Sequence, residues 1–309
     1  MLIKLLLIPI LIFFQASFFN NANLDSSSSE EQILGSSEVD LETLSIDELS
    51  APKKTTDSLG IKTTAESVII LDRTSKSMLF GKNVQERRPI ASLTKIMTVL
   101  VALEDKINLD DLAMISQRAA RVEPKDIKLK EGEQVKIKDL LYASLIASAN
   151  DAALALAEHV GPGIGKFVKK MNKKAEDLKL QNTHFANSTG LDKEGNYSTV
   201  FDLAKLFDYA LENENFRDII LTKEYTAIST NTQDTHFFRN TNGLLDSFLN
   251  IKGGKTGFTD EAGWCLVEVA ENGQGNQVIA VILGSESDEM RFQETKALLD
   301  WTFRNYEWK

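Results

Sequence analysis

The sequence predicts an α/β fold of the α+β kind, with one antiparallel sheet built from both ends of the chain and a helical region inserted between them. Three observations carry that prediction. Two apolar runs, 68–71 and 78–80, flank a polar turn near the start of the folded part, as in a β-hairpin. Apolar residues then recur at helical intervals through the middle third. After Tyr225 the rhythm returns to strands: IKGGKTGF, GWCLVEVA and QVIAVILGS are bounded by glycine-rich turns.

Taken in order, residues 1–22 carry one lysine and then an almost unbroken apolar run from 5 to 14. Pro9, Gln15 and Ser17 leave it short of the about 20 apolar residues a bilayer core needs. We read it as a cleaved export signal, with an uncleaved N-terminal anchor as the alternative. Residues 23–59 turn to serine and acidic side chains with no aromatic residue, the composition of a linker that cannot bury enough apolar area to offset its ordering entropy. If flexible, it spans about 30–35 Å, enough to hold a domain off a membrane. The folded domain is assigned to 60–309. Within it, SLTKIMTVLVALED has apolar residues at 93, 96, 97, 100, 101 and 103, a helix. Further helical patterns cover 137–147 and 151–159, then Phe167, Met171, Ala175 and Leu178, then Val200, Leu203, Leu206, Phe207 and Leu211. Residues 272–276 make a hairpin connection, and Asp288–Asn305 reads as a closing amphipathic helix.

Composition narrows the chemistry. A net charge of −10 disfavours the cationic surface that nucleic-acid binding requires. His159, His184 and His236 are scattered without ligand spacing, and Cys265 is the only cysteine, so neither a metal nor an internal disulfide is expected. Cys265 reads as a core residue of an apolar strand. Gly161-Pro162-Gly163-Ile164-Gly165 lacks the Lys and Ser/Thr of a phosphate-binding loop. No cofactor is expected.

The chemistry-bearing residues lie in three strings: Ser92-Leu93-Thr94-Lys95, Ser148-Ala149-Asn150 and Lys255-Thr256-Gly257. Cleavage of an amide through a covalent intermediate needs a nucleophile, a base within reach and donors for the oxyanion. Ser92 and Lys95 share one face of a predicted helix start. Lysine is a poor base at its ordinary pKa, but desolvation and a second cation favour its neutral form, and Lys255 is the candidate second cation. Ser148 and Asn150 sit at a break between helices, where they can relay a proton and orient substrate. Lys255 and Thr256 on a strand can hold a carboxylate, and Gly257 lets a backbone approach. Each triplet alone is weak. Three in order, spaced by 56 and 107 residues, form the signature shared by class A β-lactamases and penicillin-binding proteins.

From about Ser67 onward the chain resembles the low-molecular-weight penicillin-binding proteins, the serine-type D-Ala-D-Ala carboxypeptidases. PIASLTKIMT, EGEQVKIKDLLY, SANDAALALAEHV, NTHFANSTGLD and NTNGLLDSFLNIKGGKTGFTDEAGWCL look like family blocks in family order. The resemblance implies a β-lactamase/transpeptidase-like fold and an exported enzyme that removes the terminal D-alanine of peptidoglycan stem peptides. It implies that Ser92 is acylated, Lys95 is its base, Ser148 and Asn150 form the second motif, and Lys255 and Thr256 bind carboxylate. The oxyanion hole would be the backbone N–H groups of Ser92 and Phe258. β-Lactams would acylate the same serine, in an extracytoplasmic compartment.

Two departures qualify the likeness. Some members carry an arginine in the block matching Asn240-Thr241-Asn242; here the position is Thr241, and Arg239, two residues earlier on an expected strand, is the candidate replacement. The chain stops 52 residues after Gly257, so any membrane attachment is expected at the N-terminus. The alternatives are a D,D-endopeptidase acting on cross-links, a class A-like β-lactamase, and an inactive wall-binding scaffold. The β-lactamase reading lacks a Glu-x-x-Leu-Asn string between Asn150 and Lys255.

Overall fold

The computed structural model describes residues 51–309 apart from 106, 125 and 162. The expected export signal at 1–22 and residues 23–50 of the expected linker lie outside the described residues. The elements run β1 (Lys53–Lys54), β2 (Ser67–Asp72), β3 (Met78–Lys82), α1 (Thr94–Glu104), β4 (Leu112–Met114), α2 (Gln117–Ala120), β5 (Gln134–Lys136), α3 (Ile137–Ile146), α4 (Asn150–Val160) and α5 (Ile164–Asp177). There follow α6 (Val200–Ala210), α7 (Glu214–Leu221), β6 (Glu224–Ile228), β7 (Thr235–Arg239), β8 (Ile251–Thr259), β9 (Gly263–Glu271), β10 (Gln277–Ser285), α8 (Asp288–Asn305) and β11 (Tyr306–Glu307).

The main sheet has the order β3-β2-β10-β9-β8, with every neighbouring pair antiparallel. The early hairpin and the three late strands thus share one sheet, as the apolar pattern predicts. Successive strand residues face opposite ways, and here both faces are covered. Ile69, Leu71, Val267, Val269, Ile279 and Val281 join the core of the helical region, whereas Val68, Ile70, Leu266, Val278, Ala280 and Ile282 pack with Leu298 and Leu299 of α8. Burial on both faces explains why these strands read as unbroken apolar runs; each large side chain so buried contributes about 1.5–3 kcal/mol.

The expected domain start needs correction. β1 pairs with β11, Thr55 N donates to Asn305 O at 2.9 Å, and Trp301 Nε1 donates to Ser58 Oγ at 2.8 Å. Residues 53–58, expected in the linker, therefore lie on the folded body. Their polar composition hid this because backbone groups and the hydroxyls of Thr55, Thr56 and Ser58 make the contact. Several further elements are too short to be read individually from the sequence, among them α7 and the β6–β7 hairpin. Helix α7 is only 8 residues long and is started by Asn213, whose side chain accepts from Phe216 N; the β6–β7 hairpin is a separate two-stranded sheet.

Candidate active site

Ser92 lies in a single 3-10 turn, Ala91–Leu93, that leads directly into α1. The turn is held by close backbone approach from two sides. A Cβ on Gly190, at φ +84°, would stand 1.9 Å from Ala91 O, and one on Gly257 would stand 3.2 Å from Ser92 N. Only glycine meets both the left-handed φ and the contact at Gly190. Ala91 itself has φ +47°, an uncommon conformation for a residue with a side chain, here immediately before the serine.

Lys95, one helical turn after Ser92, is fully buried. Its Nζ donates to Ser92 Oγ at 2.9 Å, to Asn150 Oδ1 at 2.7 Å and to Thr189 O at 2.6 Å. Two of these partners, an amide oxygen and a peptide carbonyl, can only accept. They therefore orient two N–H bonds in any protonation state. The third direction points at the serine hydroxyl, where the neutral amine presents its lone pair. This geometry lets one nitrogen receive the proton of the hydroxyl beside it.

Ser148 stands between α3 and α4 at φ +60°, which turns its side chain out of the helical register. Its Oγ accepts from Lys255 Nζ at 2.9 Å, and Lys255 also donates to Thr256 O at 2.7 Å. Lys255 is 1% exposed, so both site lysines are surrounded by acceptors, as buried amines must be. Asn150 holds Lys95 with its oxygen while its amide donates to Pro124 O. Ser92, Asn150 and Phe258 share a cavity of about 420 Å³ whose walls include Pro124, Leu191 and Asp260. Phe258 stacks on Trp264 with ring centroids 4.0 Å apart.

The structure thus brings together all eight residues singled out from the sequence: Ser92, Lys95, Ser148, Asn150, Lys255, Thr256, Gly257 and Phe258. Arg239 is different. Its guanidinium is largely exposed and pairs with Glu224 at 2.9 Å. The alternation argument fails because β7 ends at Arg239 and the chain turns at Asn240. Thr241 itself reaches the site, with its Oγ1 2.6 Å from Thr256 Oγ1 and its N donating to Ile146 O at 2.8 Å.

Sequence reasoning missed three contributors. Thr189 supplies a backbone carbonyl, to which side-chain identity is blind. Gly190 was visible only as part of the NTHFANSTGLD block. Arg291 of α8, 4% exposed, donates to Gly257 O at 2.9 Å and stacks over Trp264 at 4.8 Å; burial pulls its pKa below the usual arginine value, opposed by the Asp288 carboxylate. Cys265 lies fully buried on β9, as expected, and burial pushes its thiol pKa up to about 11.

The chain belongs to the D-alanyl-D-alanine carboxypeptidase family, peptidase S11, whose profile matches residues 52–287. It is 38% identical over 247 residues to D-alanyl-D-alanine carboxypeptidase DacF of Bacillus subtilis, an alignment covering 79% of this chain and 63% of that protein. The chain therefore spans less than two thirds of the Bacillus relative's length. It is 37% identical over 242 residues to the D-alanyl-D-alanine carboxypeptidase of Streptomyces sp. strain K15, covering 73% and 82%. The crystal structure of the Streptomyces K15 DD-transpeptidase matches with a TM-score of 0.75 at 33% identity, over 79% of this chain and 99% of that one. The transpeptidase-like fold expected from the resemblance is the fold found.

Proposed function

We propose that the protein is an exported serine D,D-carboxypeptidase that removes the terminal D-alanine from peptidoglycan stem peptides. Lys95 carries this reading: its two N–H bonds are committed to Asn150 and Thr189, and its remaining direction faces Ser92 Oγ. Ser92 Oγ attacks the carbonyl carbon between the two D-alanines as its proton passes to Lys95, and the oxyanion turns to the backbone N–H groups of Ser92 and Phe258. The C–N bond breaks as the leaving amine takes, through Ser148, the proton that Lys95 received, and D-alanine departs. Water then hydrolyses the acyl-serine ester. Lys255, Thr256 and Thr241 supply the ammonium and hydroxyls for the substrate's terminal carboxylate. β-Lactams acylate the same serine because their strained amide presents the same carbonyl.

Export rests on the apolar stretch at 1–22. Among the described residues no helix is long and apolar enough to cross a membrane. Mature N-terminal sequencing of the protein from its host distinguishes cleavage from an uncleaved anchor.

The activity test is intact-mass analysis after incubation with benzylpenicillin, alongside Ser92→Ala, together with D-alanine release from a stem pentapeptide. We expect an adduct on wild type alone and release of one D-alanine. Rapid drug turnover without an adduct would favour a β-lactamase. Neither adduct nor D-alanine release from folded protein would defeat the enzymatic reading.

A further inference from the structure

Three residues beyond Pro124, the chain is bound by a buried titratable pair that the mechanism above does not use. His236 of β7 is 7% exposed and Glu133, just before β5, is 1% exposed. His236 Nδ1 is 2.9 Å from Ile127 O, and its Nε2 is 2.9 Å from Glu133 Oε2. A peptide carbonyl only accepts, so Nδ1 carries a hydrogen. Nε2 and Oε2 then require one proton between them, whether the pair is imidazolium with carboxylate or imidazole with carboxylic acid. Without that proton, a nitrogen lone pair and a carboxylate oxygen would face each other in a buried site.

We propose that this shared proton fastens the cleft wall, making His236 and Glu133 positioning residues, and that removing the proton slackens the support of Asn150 and Lys95. The connection is continuous. The carbonyl bound by His236 belongs to Ile127, whose N–H, with that of Leu129, donates to Asp151 Oδ2 at 3.1 Å. Asp151 follows Asn150, which holds Pro124 O with one end of its amide and Lys95 with the other. The β6–β7 turn grips the same wall: Thr230 N donates to Gln134 O at 2.8 Å and Asn231 Nδ2 to Gly132 O at 2.9 Å.

Both carboxylates and ammonium groups surround the pair. Asp234 faces Glu133 and is itself bonded by Lys130 at 2.8 Å, with Lys130 close enough to sense Glu133. Asp151 and Asp126 add negative charge on the far side of Ile127, and exposed Lys128 pairs with Asp126. A proton held in the folded state stabilises the fastening below its titration, and the contribution is lost as pH rises through it.

The inference rests on the acylation reading of Ser92, so two readouts are needed. The first is the second-order rate of benzylpenicillin acylation from pH 6 to 10 for wild type, Glu133→Gln and Glu133→Leu. A glutamine amide satisfies a neutral imidazole without any shared proton, whereas leucine cannot. We expect Glu133→Gln to match wild type near neutrality and to keep its rate where wild type falls, and Glu133→Leu to be about tenfold slower throughout. The second, independent of activity, is hydrogen-exchange protection of the Ile127 and Leu129 amides over the same pH range, which should weaken as pH rises in wild type but not in Glu133→Gln. Equal protection profiles in the two proteins overturn the proposal even if Ser92 is never acylated. Parallel acylation profiles, or wild-type rates in Glu133→Leu, overturn it where Ser92 is. Absence of acylation in wild type, with the protection difference present, defeats the activity reading alone.

Discussion

Two lysine–serine pairs meet in the cleft at the same separation, 2.9 Å, yet they are built by opposite means. Ser92 and Lys95 are one helical turn apart, and the helix alone brings them together. Ser148 and Lys255 are 107 residues apart and meet only because a strained break between α3 and α4 is set against β8. Their surroundings differ as well. Lys95 is bound by acceptors from two other segments, Asn150 and Thr189, so its remaining direction is dictated. Lys255 finds its second acceptor on its own strand, Thr256 O. The difference separates two tasks: an amine aimed by its neighbours suits proton transfer, and an amine anchored on a strand beside hydroxyls suits holding an anion.

The sharpest way to break the first pair is Lys95→Ala. We expect benzylpenicillin acylation to fall by about 10²–10⁴-fold with the fold retained, since a positioned general base contributes that much; stopped-flow acylation with circular dichroism checks both. Lys255→Ala tests the second pair. Loss of one charge-assisted bond to a substrate carboxylate should cost about 10- to 100-fold in kcat/KM on a stem pentapeptide, expressed mainly in KM.

A third prediction acts from behind β8. Glu268 of β9 is fully buried opposite Gly254, and burial raises its pKa well above the usual carboxylate value, with the Asn242 side chain and a backbone amide opposing. A Cβ on Gly254 would stand 2.7 Å from both carboxylate oxygens, so the small residue before Lys255 makes room for the acid. The folded state keeps the proton that the unfolded chain releases above its ordinary glutamate pKa. Stability is therefore full below that value and declines as pH rises towards the folded pKa, by about 1.4 kcal/mol per pH unit. Glu268→Gln should flatten this slope, and thermal melts at pH 4 and pH 8 measure it.

Thr241→Val removes the hydroxyl bonded to Thr256 and should lower kcat/KM by about fivefold, the value of one neutral hydrogen bond. Arg239→Ala should change it by less than about twofold, because an exposed arginine paired with Glu224 contributes little. A large loss in Arg239→Ala would place that side chain on the substrate after all.

Legibility followed the range of the interaction. Helices α1, α3, α4, α5 and α6 were readable because their apolar residues keep helical spacing, and β8, β9 and β10 because both faces are buried. Helix α7 escaped because it is only 8 residues long: Phe216, Ile219 and Ile220 keep helical spacing, but over too short a run to stand out. The attachment of residues 53–58 escaped because it is made by hydrogen bonds to Asn305 and Trp301 rather than by apolar burial. Arg291 looked like one more charged residue of a surface helix, and only its contacts with Gly257 O and Trp264 distinguish it.

By itself, the order of residues determined which side chains were chemically equipped: a serine and a lysine on one helical turn, a Ser-Ala-Asn break, a Lys-Thr-Gly strand, and the apolar rhythm of the sheet. Only the tertiary structure decided that Thr189 O and Asn150 aim Lys95, that Thr241 rather than Arg239 touches Thr256, and that His236 meets Glu133. Those outcomes depend on backbone carbonyls and on burial. Neither is encoded in the identity of a residue, since every residue carries a carbonyl and burial exists only after distant segments have packed.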